Sequence, residues 1–137
     1  MNFISGINAT SSALNAEKVR MDVVAENIAN AYTTRGLDGK AYQRKMVAFE
    51  ALLGAEPGAR GGSGVRIAEI GNDSTPGELV HNPSHPHADK DGMVRMPNVS
   101  VSTEMVDLLA ASRAYEANLA VVRNARQMAA KALAIGR

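Results

Sequence analysis

Residues 102–137, STEMVDLLAASRAYEANLAVVRNARQMAAKALAIGR, contain no proline and a single glycine, Gly136. Apolar side chains at Met105, Leu108, Tyr115, Leu119, Val122, Ala129 and Leu133 recur every three or four positions, the spacing of one helical face. Written as heptads, one seam line runs through Met105, Ser112, Leu119, Arg126 and Leu133, and the other through Leu108, Tyr115, Val122 and Ala129. About 33 helical residues make a rod of roughly 50 Å. A compact core in a chain of 137 residues does not need so long a rod, so the seam requires a partner. Glu104 and Asp107 near the start and Lys131 near the end complement the helix dipole, while Ser100 or Ser102 suits the N-cap and Gly136 the exit.

The first candidate partner is residues 3–31. Ile7, Leu14, Met21 and Ile28 recur every seven residues, and Phe3, Val24 and Ala31 occupy an adjacent line interrupted by Gly6, Thr10 and Glu17. This predicts an amphipathic helix of roughly 42 Å, ending where Thr33, Thr34, Arg35 and Gly36 remove the helical signal. Asn27 and Asn30 lie three apart near its end, on one face.

Residues 36–100 have a different character. All five prolines and ten of the twelve glycines fall there, which excludes a long helix. Asp38-Gly39 marks a turn, and residues 41–49 and 65–70 predict two strands paired as an antiparallel hairpin. Between them, Gly54 to Gly64 has the composition of a flexible loop. A short strand is expected at residues 78–81 or 93–96. The division is therefore an N-terminal helix (1–35), a β- and turn-rich insertion (36–100) and a C-terminal helix (101–137). The fold class is mainly α, two long helices forming an antiparallel coiled-coil pair around a small β-hairpin insertion.

Composition narrows the function. Aromatic residues make up 4% and tryptophan is absent, so any core is small and aliphatic, unlike that of most globular enzymes. A net charge of +1 gives no reason to expect nucleic acid or an anionic membrane as partner. No cysteine is available for a disulfide or a thiolate metal site. The N-terminal residues lack the basic segment and apolar run of a signal peptide or membrane span, so export would need another route and direct membrane insertion is not expected.

His81, His85, His87 and Asp89 are the one cluster with metal-ligand chemistry. Pro83 and Pro86 interrupt any regular element that would aim these side chains together, which favours a structural turn over a metal site. The Gly61–Gly64 run lacks the Lys-Ser/Thr of a phosphate loop, and Ser84 beside His85 has no strand-turn-helix elbow. No catalytic set and no cofactor is expected. The seams themselves contain small or polar members, including Thr10, Ser112, Arg126 and Ala129, so a lone helix pair buries little area. Self-assembly through the helices is the favoured reading, and a soluble helical-hairpin adaptor with no polymer role is the alternative.

The segment from Ser5 to Thr34, ending VVAENIANAYTT, resembles the N-terminal signature of the bacterial flagellar rod and hook proteins, and EMVDLLAASRAYEANLAVVRNARQMAAKALAIG resembles their C-terminal helix. AYQRKMVAFEA, GVRIAEI and the segment beginning NPSHPHAD are similar to proximal-rod members of that family. The motif residues are Asn82, Pro83, His85, Pro86 and Asp89. The resemblance implies a subunit exported by the flagellar type III apparatus and stacked helically in the periplasm. Its partners would be itself, other rod proteins, the basal ring and export gate, and the rod-cap protein. It also implies that Ile7, Leu14, Met21 and Ile28 meet Leu108, Tyr115, Leu119 and Val122. Met105 and Asn118 share that assembly face, and Asn27 and Asn30 hydrogen-bond at inter-helix or inter-subunit contacts.

Overall fold

The computed structural model describes residues 3–52 and 64–135, with side chains from Gly6 onward. Helix α1 spans Phe3–Ala29 and helix α2 spans Val101–Ile135, about 40 and 52 Å long. Between them lie β1 (Lys45–Leu52), β2 (Gly64–Asn72), β3 (Leu79–His81) and β4 (Met93–Arg95). The strands form two separate antiparallel pairs, β1 with β2 and β3 with β4. The expected loop at 54–64 lies outside the described residues except for Gly64, which opens β2, and so does the expected helix exit at Gly136.

The helices pack against each other, and they run in opposite directions where they meet. Asn27 touches Glu104, while Arg20, two turns earlier in α1, reaches Asp107. With 27 and 35 residues, the helices account for about half of the described residues, so the mainly α expectation holds in part: two paired helices stand beside a small antiparallel β region.

The seam differs from the one expected. On α2, Glu104, Ala111 and Ala125 are buried, and Leu108, Tyr115, Asn118, Val122 and Ala129 are half-buried between and beyond them in alternating steps of four and three, with Ser112 and Leu119 half-buried beside them. The line through Leu108, Tyr115, Val122 and Ala129 is therefore correct, but its companion lies one residue earlier than the Met105–Leu133 line. Ala111 is fully buried, whereas Met105 and Leu133 are exposed. Two helices approach closely where small side chains face each other, and the bulky Met and Leu are displaced to the flank. On α1, Ala16, Val23 and Asn27 are buried, as are Val24 and, just past the helix, Ala31 of the expected adjacent line, while Ile7, Leu14, Met21 and Ile28 are half-buried, as Leu108, Tyr115, Val122 and Ala129 are on α2.

The β1–β2 hairpin lies along α1. Ser12 Oγ accepts a hydrogen bond from Val65 N–H at one end (3.0 Å), and Asn27 bonds to Lys45 at the other. The rise from Ser12 to Asn27 is about 22 Å on the helix, and from Lys45 to Ala51, the partner of Val65, about 20 Å on the strand. Strand β1 starts later than the expected residue 41 because the N–H groups of Tyr42 and Arg44 are used elsewhere. They donate to Thr33 O and Asn98 Oδ1.

Candidate functional site

Where α1 ends and α2 begins, the helix seam turns polar. Asn27 and Glu104 are both fully buried. The Asn27 amide donates from Nδ2 to Glu104 Oε2 and to Lys45 O, each at 2.9 Å. Its Oδ1 accepts from the Tyr42 hydroxyl and from Lys45 N–H, again at 2.9 Å. The second carboxylate oxygen of Glu104 accepts from Arg44 Nε, and the same guanidinium reaches Asp107 Oδ2 at 3.3 Å. Asp107 also faces Arg20 at 3.7 Å, which places two acids and two arginines in one cluster. Burial removes a carboxylate from water at a cost of several kcal/mol, and the charge-assisted bonds to Arg44 and Asn27 offset it.

Tyr42 adds a titratable group to this junction. Burial, together with the negative charges of Glu26 and Glu104, pushes its hydroxyl up to about 12. Further out, Asn98 accepts from Arg44 N–H (2.7 Å) and donates to the carbonyls of Asp73 and Thr75, so the chain before α2 is tied to the hairpin base. Hydrogen bonds from the Thr75 hydroxyl and backbone N–H hold the Asp73 carboxyl below the usual carboxylate range.

Of the residues singled out from sequence, Asn27 makes the inter-helix bond. Asn30 bonds locally instead, donating to Glu26 O and accepting from the Thr33 hydroxyl, which finishes the turn after α1. Leu108, Tyr115, Asn118 and Val122 lie on the covered face of α2, and Leu119 is half-buried on its flank. Arg44, Tyr42 and Asn98 escaped notice because nothing periodic marks them: their partners lie 15 to 60 residues away.

The Asn82–Asp89 motif forms the loop joining β3 to β4. Asp89 Oδ1 accepts from the N–H groups of Asp91 and Met93, and Asp89 N–H donates to Met93 O, which closes a tight turn. Gly92 ends it at φ +72°, and an added Cβ there would fall 2.9 Å from Pro83. His87 Nδ1 meets the Thr34 hydroxyl at 2.8 Å, and His85 Nδ1 accepts from His87 N–H. Among the described residues no three His, Asp or Glu side chains converge as a metal site. The motif atoms are occupied in shaping the loop and fastening it to the chain after α1. No described helix is long and apolar enough to cross a membrane.

Two family models match the chain, "Flagella basal body rod protein" over residues 7–35 and "Flagellar basal body rod FlgEFG protein C-terminal" over residues 90–135. They cover most of α1, the last residues before β4, β4 itself and α2, the segments that supply Asn27 and Glu104. Over its length the chain is similar to the flagellar basal-body rod protein FlgC of Yersinia enterocolitica, 42% identical over 99% of both chains. It is similar as well to FlgC of Bacillus subtilis, 39% identical over 100% of both, and of Borreliella burgdorferi, 40% identical over 98% of both. With two helices joined by a polar junction and this extent of similarity to proteins from distant bacteria, the chain belongs to the flagellar basal-body rod protein FlgC family.

Proposed function

We propose that this chain is a structural subunit of the flagellar basal-body rod, and that it polymerises through its paired helices into the proximal rod, the shaft that transmits torque. The observation carrying this reading is the uncovered apolar surface of α2. Met105, Val106, Leu109, Val121, Met128, Leu133 and Ile135 are all more than half exposed, outside the covered seam. An antiparallel coiled pair thereby leaves apolar stripes that helices of neighbouring copies can cover, as assembly interfaces require. Met105 and Leu119 sit on one such flank. Leu14, Met21 and Ile28 occupy the corresponding flank of α1. The chain divides by role into two assembly helices and an outward insertion. Its partners are copies of itself, other rod proteins, the basal ring and export gate, and the rod-cap protein. It reaches the periplasm through the flagellar type III route without a cleaved signal.

The test is a deletion strain. Loss of motility, with basal bodies lacking the rod under electron microscopy, is the expected result; motile cells with intact rods would refute the proposal. Leu119→Asp in the same background should leave export intact while rods are absent.

A further inference from the structure

We infer that residues 42–45 license the pairing of the two terminal helices, so that α2 docks only after this segment has seated on α1. Among the described residues, the buried pair Asn27–Glu104 accounts for five hydrogen bonds. One joins the two side chains to each other. The other four come from residues 42–45: the Tyr42 hydroxyl, Arg44 Nε, and the N–H and carbonyl of Lys45. Helices that met without this segment would bury a carboxylate holding a single bond. The apolar seam compensates little, because its buried members are small (Ala16, Val23, Val24 and Ala111) and Leu108, one turn from Glu104, is only half-covered. Sequence separation sets the order. Residues 42–45 lie 15 to 18 positions from Asn27, whereas Glu104 lies 60 from Arg44 and 77 from Asn27. Closing the short loop costs less chain entropy, so α1 and residues 42–45 form the receptor that Glu104 then enters. Polar residues at a helix seam fix register at a cost in stability, and here that cost is placed on the premature pairing.

This inference rests on the rod reading for its readout, and its test uses the full chain in cells. Arg44→Met strands the Glu104 carboxylate, and should lower the folding equilibrium roughly 100-fold or more, with rods and motility lost. Adding Glu104→Leu to Arg44→Met removes the stranded charge and should restore rod number to within about threefold of the parent, because an apolar replacement of a buried ion pair is often neutral. Motility unchanged in Arg44→Met would overturn the inference, as would a double variant no better than the single. Either result leaves the deletion strain free to report on the rod reading separately.

Discussion

The Glu104 carboxylate and the Asn27 amide meet 2.9 Å apart, wholly out of solvent and 77 residues apart in sequence. An Ala-rich seam offers many nearly equivalent registers to two helices. A buried polar pair has only one register in which both members are bonded, and the junction therefore sets the alignment of the whole pair.

Asn27→Ala removes both donors and the acceptor that serves Tyr42 and Lys45 N–H. The expected loss is roughly 2–4 kcal/mol, because buried groups are left unpaired. A urea unfolding curve with an unchanged slope and a lower midpoint would record it.

Ala111 and Leu109 separate seam from surface. Ala111 has no exposed surface, so Ala111→Leu overpacks the seam and should cost about 1–3 kcal/mol. Leu109 is 60% exposed, and Leu109→Lys should change the stability of the isolated chain by no more than about 0.5 kcal/mol while reducing rod assembly. Paired unfolding and basal-body counts distinguish the two.

Two glycines should respond with opposite signs. At Gly77 an added Cβ would lie 1.8 Å from Met96 O, so Gly77→Ala must move backbone and should destabilise by more than about 1 kcal/mol. At Gly6, within α1, a Cβ meets nothing within 4 Å, and Gly6→Ala should stabilise by roughly 0.5–1 kcal/mol. Thermal melts of the two variants against the parent give the signs directly.

Alkaline pH should loosen the junction. The folded Tyr42 hydroxyl has a pKa of about 12, above its ordinary value of 10. The unfolded chain therefore releases this proton first as pH rises. The contribution of Tyr42 is complete below pH 10 and is lost between 10 and 12. Tyr42→Phe should abolish that part of the pH dependence, as unfolding midpoints measured across this range would show.

Asp89→Ala withdraws the acceptor of two backbone N–H groups, while Asp89→Asn keeps an acceptor oxygen. The alanine variant should lose amide-exchange protection at Asp91 and Met93, and the asparagine variant should retain most of it.

By itself the sequence determined the two helices, the antiparallel β1–β2 pairing, and the turn character of the Asn82–Asp89 motif. Helical spacing, the clustering of proline and glycine, and turn chemistry are local, so each is legible within a few residues. The sequence offered a short strand at 78–81 or at 93–96; the structure has one in each place, and the two pair with each other. The tertiary structure decided which line of each helix is covered. Hydropathy ranks Met105 and Ile28 above Ala111 and Asn27, but close approach of two backbones favours the small residue and a satisfied polar one. It also decided that Arg44, in a segment read from sequence as strand, belongs to the helix junction. Its role arises from a partner 60 residues away, Glu104, and only folding brings that charge within reach.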